Sequence, residues 1–152
     1  MPSMNKKAWL IFGITLVAIF GIDQWIKTLF LDGFRWQGDF FSLILTYNKG
    51  VAFSMFSFLE EYLKYIQLLL VGSLGVYLLF HQTLLHSYGI AIGLIGGAAF
   101  SNIYDRFIHG GVVDYFFWHY GFEFAVFNFA DVMIDLGVLL IFYRSWRASK
   151  SI

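Results

Sequence analysis

Four long apolar segments place the strongest constraint on what this 152-residue chain can fold into. They cover residues of about 8–29, 62–80, 87–105 and 124–143. A helix needs ~20 apolar residues to cross ~30 Å of hydrocarbon, and each segment is close to that length. We therefore predict an all-α membrane protein: a four-transmembrane-helix bundle formed by a single integral membrane domain, residues 1–152.

The composition indicates the same class of protein. Hydrophobic residues make up 59% of the chain and charged residues 13%, against about 45–50% and ~25% in soluble domains. The formal net charge is zero, so we predict no nucleic-acid partner. Because the chain has no cysteine, disulfides, thiolate metal sites and a cysteine nucleophile are excluded.

Basic residues are distributed unevenly around the spans. The long first connection, residues 31–61, holds only Arg35 and Lys49, whereas the two tails hold Lys6, Lys7, Arg144, Arg147 and Lys150. Positive residues favour the cytoplasmic side of a membrane. We therefore predict a multi-pass protein with both termini in the cytoplasm.

The first and third connections would then lie outside. The first contains DFFSLILTYNKGVAFSMF, which is rich in aromatic and β-branched residues and has turn chemistry at Asn48-Lys49-Gly50. It predicts a small extracytoplasmic β-element between helices 1 and 2. The third connection, FIHGGVVDYFFWHYGFEF, is dense in aromatic residues and predicts a loop at the outer interface.

Most of the unusual polar residues fall at the outer membrane face in this topology. Asn102, Asp105 and Arg106 are spaced i, i+3, i+4 and share one helical face, as do Asn128 and Asp131. At 1.5 Å per residue, Asp131 would lie on the order of 10 Å below the outer end of span four. Ionisable groups at membrane depth are costly, and therefore they mark candidate functional sites.

Asp114 and Asp131 offer a carboxylate pair at this face. Two carboxyls that lie close together do not both ionise cheaply, so one keeps its proton while the other is charged. Such a pair can activate water and protonate a leaving group, which is the chemistry of an aspartic protease.

The neighbouring polar residues can also be explained by structural roles alone. Asp23 and Lys27, spaced i, i+4, can form an interfacial ion pair. Asp105 can pair with the adjacent Arg106 and anchor the end of span three. Asn48 can serve only as a turn residue.

Two other classes of function stay open from the residues alone. A transporter or proton-coupled channel also places acids and an arginine within the membrane, and a non-catalytic assembly subunit uses polar pairs to hold helices together. A zinc site is not indicated, because His109, His119 and Glu123 do not form an H-E-x-x-H pattern. A serine nucleophile is not indicated either, because there is no G-x-S-x-G elbow.

Five blocks in order resemble the signatures of one family, bacterial lipoprotein signal peptidase, also called signal peptidase II. They are DQWIK (Asp23 to Lys27), YNKGVAFS (Tyr47 to Ser54), GGAAFSNIYDR (Gly96 to Arg106), GGVVDY (Gly110 to Tyr115) and FNFAD (Phe127 to Asp131). Each block is short, but five in order together with four predicted spans make a specific match.

The resemblance implies an aspartic endopeptidase of the bacterial inner membrane, with its active site toward the outer face. It would cleave the signal peptide from prolipoproteins just before a diacylglyceryl-modified cysteine. The implied partners are these prolipoproteins, membrane lipid and a globomycin-type inhibitor, and no metal or other cofactor is implied. The implied catalytic residues are Asp114 and Asp131, and the implied supporting residues are Asp23, Asn48, Gly50, Asn102, Asp105, Arg106 and Asn128.

Overall fold

Four helices carry most of the chain in the computed structural model, which describes residues 5–50 and 57–150. The elements follow in the order α1 (Lys6–Leu31), β1 (Trp36–Gln37), β2 (Phe41–Asn48), a short 3-10 helix (Ser57–Leu59), α2 (Glu60–Phe80), α3 (Thr83–His109), β3 (Val112–Trp118) and α4 (Phe129–Ser149). The prediction of a mostly helical membrane fold is confirmed.

Three of the described helices are long and apolar enough to cross a membrane: α1, Glu61–Phe80 within α2, and α3. The helix α4 carries Asp131 and Asp135 near its beginning and Arg144 near its end, which shortens its uninterrupted apolar run. The fourth span is therefore still a prediction.

The bundle is built around α3, which packs against α1, α4 and, less extensively, α2. Close approach depends on small residues at the contacts. A Cβ added at Gly97 of α3 would lie 2.4 Å from the backbone oxygen of Leu16 in α1, and one at Gly137 of α4 would lie 2.9 Å from the backbone oxygen of Ala91. These glycines allow α1 and α4 to contact the α3 backbone directly.

A three-stranded antiparallel sheet, in the order β1-β2-β3, lies beside the bundle. In its register Asn48 pairs with Val112, and Thr46 pairs with Asp114. Since alternate residues of a strand point to one face, Asn48 and Asp114 lie diagonally on the same face of the β2-β3 pair. The sheet thus presents both side chains toward the ends of the helices.

The predicted β-element is present, and the structure adds detail to it and corrects the third connection. The hairpin between β1 and β2 turns at residues 38–40, and Asn48 is the last residue of β2; the chain beyond Gly50 in the predicted element, residues 51–56, lies outside the described residues. The third connection is not only an interfacial loop, because Val112–Trp118 forms the third strand. The sheet therefore joins two connections that are far apart in sequence.

The beginning of α4 also differs from the prediction. The helix begins at Phe129 rather than near residue 124, and Asn128 is its N-cap residue. Asp131 consequently lies in the first turn of α4 instead of on the order of 10 Å below its end. This places Asp131 closer to the strands than the sequence indicated.

Candidate active site

Asn128 connects the end of the third connection to the start of α4. Its backbone is extended (φ −130°, ψ 179°), and its side-chain oxygen accepts a hydrogen bond from the Asp131 backbone N–H at 2.9 Å. The Asp131 carboxylate in turn accepts from the Asn128 backbone N–H at 3.1 Å. This reciprocal capping box satisfies two of the free donors at the helix start and fixes the Asp131 side chain.

Asn128 also connects the two predicted catalytic carboxyls, one through its side chain and one through its backbone. Its Nδ2 donates to Asp114 Oδ1 at 2.7 Å, while its backbone N–H donates to Asp131. Asn102 Nδ2 donates to the other oxygen of Asp131 at 3.1 Å, and Asn48 Nδ2 donates to Asp114 Oδ2 at 3.1 Å. Each carboxyl is thus held by two donors from different elements.

Asp114 is almost fully buried, with 1% of its surface exposed. Burial raises the pKa of its carboxyl to about 7, and the neighbouring Asp131 charge adds to the rise. Hydrogen bonds from Asn48 and Asn128 and the charge of Lys27 act in the opposite direction. A carboxyl with this pKa exchanges protons near neutral pH, which general acid-base chemistry requires.

Lys27 lies at the centre of a second polar layer beneath the carboxyls. Its Nζ forms ion pairs with Asp23 at 2.6 Å and with Asp105 at 2.7 Å, and it donates to Asn102 Oδ1 at 2.9 Å. Lys27, Asp23 and Asp105 each have 1% or less of their surface exposed. Three buried charges are tolerated here because they neutralise and hydrogen-bond one another.

The two acids of this layer also hydrogen-bond to other elements and fix their positions. Asp23 Oδ1 accepts from the Ala130 backbone N–H at 2.9 Å, and Asp23 Oδ2 accepts from Ser101 Oγ at 2.6 Å. Asp105 Oδ2 accepts from the Val113 backbone N–H at 3.1 Å, next to Asp114. Contacts from α1 and α3 therefore set the positions of α4 and β3, which carry the two predicted catalytic acids.

Arg106 does not make the ion pair with Asp105 that the sequence suggested. Its guanidinium donates to the backbone oxygens of Asn48 and Lys49, both at 3.4 Å, and to that of Gly50. Gly50 N–H donates to Asn48 Oδ1 at 3.1 Å. Arg106 thus holds the end of β2, which positions the Asn48 amide against Asp114.

A cleft of about 520 Å³ lies beside these groups. Its polar lining comes from α2, α3, α4, the end of β2 and β3: Asn48, Gln67, Asn102, Arg106, Asp114, Asp131 and Asp135. Residues 124–127, which precede α4, line another part of it. The cleft provides space for a substrate next to both carboxyls.

The structure brings the seven supporting residues and the predicted pair into one region, and it adds residues that the sequence did not single out. Gln24 donates to Asp105 at 2.8 Å, and Tyr115 Oη accepts from the Phe129 backbone N–H at 2.9 Å. Ser101, four residues before Asp105, shares a helical face with it, which could have indicated its place. Among the described residues, no group of three or more histidine, aspartate or glutamate side chains is arranged to hold a metal ion.

Fold and site together define a class of protein: a helical membrane protein with a buried carboxylate site beside an open cleft at one end of its bundle. The chain belongs to the signal peptidase (SPase) II family, whose profile matches residues 15–147. The resemblance seen in the five sequence blocks is confirmed. The family assignment also makes the chain a peptidase, rather than the transporter or assembly subunit that the residues alone left open.

Curated relatives support the assignment over most of the chain. The lipoprotein signal peptidase of Sulfurimonas denitrificans is 60% identical over 134 residues, which cover 88% of this chain and 86% of the relative. That of Wolinella succinogenes is 53% identical over 134 residues, covering 88% and 92%. That of Helicobacter pylori is 49% identical over 146 residues, covering 96% and 93%.

Two solved structures of bacterial membrane enzymes share the fold. One has a TM-score of 0.77 at 23% identity and covers 92% of this chain and 90% of its own. The other has a TM-score of 0.72 at 23% identity and covers 87% and 90%. The arrangement of helices and sheet described above is therefore a known fold of membrane enzymes.

Proposed function

We propose that this protein is an aspartic endopeptidase that removes the signal peptide from prolipoproteins, cutting just before a diacylglyceryl-modified cysteine. Asp114 and Asp131 form its catalytic dyad. The observation that carries the proposal is that one residue, Asn128, hydrogen-bonds both carboxyls at the edge of one cleft. The names of the relatives, all lipoprotein signal peptidases, indicate the substrate class.

In the proposed mechanism Asp114 holds the proton in the resting state, because its pKa of about 7 favours the neutral form. Asp131 is ionised, and donors at the positive end of α4 stabilise its charge. Asp131 takes a proton from water as the water oxygen bonds to the carbonyl carbon of the substrate. Asp114 gives its proton to the carbonyl oxygen, which forms a neutral tetrahedral diol.

The second half returns both acids to their starting states. Asp131 donates its proton to the nitrogen of the scissile bond as that bond breaks. Asp114 takes back a proton from one hydroxyl of the diol, which becomes the new carboxyl group. No atom or charge is left over, so the dyad itself can supply both proton transfers.

The supporting residues hold the two carboxyls of the dyad in position. Asn48, Asn102 and Asn128 orient the carboxyls, and Arg106 fixes the backbone that carries Asn48 and Gly50. The buried layer of Asp23, Lys27 and Asp105 holds α1, α3, β3 and α4 together. A displacement of about 1 Å in such a site is enough to reduce catalysis strongly.

We also propose the placement in the membrane. The protein lies in the bacterial inner membrane with α4 as the fourth span, both termini cytoplasmic and the dyad toward the outer face. Exposed aromatic residues of the sheet end, including Trp36, Phe40 and Tyr120, suit the headgroup boundary. A lipid-modified cysteine would keep the scissile bond at this level, and membrane lipid and a globomycin-type inhibitor are further proposed ligands.

The test is cleavage of a synthetic precursor by the purified protein in detergent, with the products identified by mass spectrometry. We expect a single cut immediately before the diacylglyceryl-modified cysteine. The matched control is the same peptide with an unmodified cysteine, which should be cut far more slowly. An uncut lipid-modified precursor, or a cut at another bond, would overturn the proposed function.

A further inference from the structure

The cleft extends one helical turn beyond the dyad, to two polar residues that the mechanism does not use. These are Gln67 of α2 and Asp135 of α4. We propose that Gln67 and Asp135 form an acceptor pair that binds peptide N–H groups of the unwound signal-peptide segment next to the scissile bond. The inference rests on the proposed function, because it assigns these residues to the same substrate.

The first observation is an unpaired acceptor atom in the side chain of Gln67. Its Oε1 atom is buried and has no hydrogen-bond partner in the described chain. Buried polar atoms are almost always paired, and an unpaired acceptor costs about 1–3 kcal/mol. Because Gln67 lines the cleft, rotation of its side chain would bring this unpaired acceptor to a donor that arrives with a ligand.

The second observation is the position of Asp135 in the cleft without a polar partner in the described part of the chain. This residue is four residues after Asp131, so the two side chains lie on the same face of α4. Asp135 is exposed, lines the cleft and makes no hydrogen bond or ion pair with any described residue. An acid at membrane depth without a partner is costly unless it faces a polar cavity or ligand.

The two residues lie at similar depths in their helices, and both line the cleft. Gln67 is seven residues from Glu60 at the start of α2, and Asp135 is six residues from Phe129 at the start of α4. At 1.5 Å per residue, both are roughly 10 Å from the outer ends of their helices. α3 packs against both helices, and all three helices contribute residues to the cleft beside the dyad.

The acceptor oxygens of the pair match donors that the peptide part of the substrate has and the lipid part lacks. Carboxylate and amide oxygens accept hydrogen bonds, whereas the ester groups of a diacylglyceryl chain have acceptors and no donors. A signal-peptide helix must unwind to place a peptide bond at the dyad, and its freed N–H groups then need acceptors within the membrane. Gln67 and Asp135 supply acceptors at that depth.

The first test compares kinetic constants of the purified protein with the lipid-modified precursor. We expect Gln67→Leu and Asp135→Leu each to raise KM about five- to tenfold with kcat nearly unchanged, because a ground-state hydrogen bond is lost. Asp135→Asn retains an acceptor oxygen and should keep KM near the wild-type value. Gln82→Leu is the matched control, since Gln82 also has an unpaired buried Oε1 but lies outside the cleft.

The second test uses precursors in which single amide bonds on the signal-peptide side of the scissile bond are replaced by esters. Each ester removes one N–H group with little change in shape. At one or two positions the ester should raise KM for the wild-type protein but not for Gln67→Leu or Asp135→Leu, which gives a measurable coupling. Equal ester penalties in wild type and both variants at every position would overturn the inference.

The outcomes separate this inference from the function on which it rests. If the wild-type protein cuts the precursor correctly while both leucine variants keep the wild-type KM, the acceptor pair is refuted and the proposed function stands. If the wild-type protein does not cut the precursor, both are refuted. A leucine variant with lower kcat and unchanged KM would also refute substrate binding by that residue.

Discussion

At the scale of single residues, Lys27 shows how the site tolerates its density of acids. One ammonium group lies within 2.7 Å of carboxylate oxygens from two different helices, and all three groups are buried. Replacing one partner of such a buried pair leaves a charge without compensation, which costs about 3–5 kcal/mol. We therefore expect Lys27 to contribute mainly to the stability of the fold and only indirectly to catalysis.

We expect Lys27→Met to lower the thermal unfolding midpoint by many degrees and to abolish activity, because Asp23 and Asp105 would face each other unpaired. Unfolding can be followed by tryptophan fluorescence in detergent. Lys7→Met, at an exposed position near the start of α1, is the matched control and should unfold like the wild type. Equal midpoints for the two variants would contradict the buried ion-pair layer.

Asp114 makes a separate prediction about pH. Its folded-state pKa of about 7 is above the ordinary value near 3.8, so the folded state binds the proton more tightly than the unfolded state. The stability that this provides is present below pH ~4 and is lost as the pH rises toward about 7, at no more than ~1.4 kcal/mol per pH unit. Asp114→Asn should remove this slope from the unfolding midpoint between pH 4 and 7, and a slope unchanged by the substitution would show that Asp114 does not titrate there.

The sequence indicated which residues lie near one another in the candidate site better than it indicated which of them form ion pairs and hydrogen bonds. The i, i+3 spacing of Asn128 and Asp131 correctly indicated that the two residues lie together, but Asn128 is the extended N-cap, so a capping box joins them rather than a shared helical face. The pairing of Asp105 was misassigned to its neighbour Arg106, because its true partner, Lys27, is on another helix. Contacts between helices depend on packing, and sequence spacing within one helix does not contain them.

At the scale of elements, α3 determines where the other helices can lie. The small side chains at its contacts let the α1 backbone approach closely, and this brings Asp23 to Ser101 and Lys27 to Asp105. A change at this contact should therefore affect both stability and the polar layer above it.

We predict that Gly97→Ala destabilises the protein by about 1–3 kcal/mol and reduces activity, because the new Cβ would lie 2.4 Å from the Leu16 backbone oxygen. Thermal unfolding and precursor cleavage measure the two effects. The control is Gly72→Ala on α2, where nothing lies within 4 Å of an added Cβ. If both variants unfold like the wild type, α1 and α3 are not in direct backbone contact.

The strand β3 shows why the sheet was only partly predictable. Its sequence VVDYFFW is apolar and aromatic, which is typical both of an interfacial loop and of a strand. What makes it a strand is the exposed edge of β2, and β2 is far away in sequence. Pairing with a strand that is distant in sequence therefore decides the position of Asp114, one of the two acids of the proposed dyad.

At the scale of the whole molecule, the polar residues of the site gather at one end of an otherwise apolar bundle. The long apolar segments were sufficient to predict the bundle, because bilayer thickness fixes the length of a span. The number of spans follows less directly, since Asp131, Asp135 and Arg144 interrupt α4. That residues 1–152 form one integral membrane domain is therefore still a prediction.

The topology can be tested with single cysteines, since the natural chain has none. We expect Asp39→Cys, in the exposed turn between β1 and β2, to react with a membrane-impermeant thiol reagent added outside intact cells or spheroplasts. His86→Cys and Lys150→Cys should react only after the membrane is opened. Labelling of Asp39→Cys and Lys150→Cys from the same side would contradict the four-span arrangement.

The most direct measurement of the central proposal is the cleavage rate of the diacylglyceryl-modified precursor by Asp114→Asn and by Asp131→Asn. An amide resembles the carboxyl in shape but neither ionises nor acts as an acid, so each variant should lose at least ~10³-fold in kcat. Both should fold, because removing one of two mutually repelling acids leaves no cation unpaired, and Asp39→Asn, exposed and outside the cleft, should retain full activity. Turnover by either dyad variant within about tenfold of the wild-type rate would contradict the aspartic mechanism.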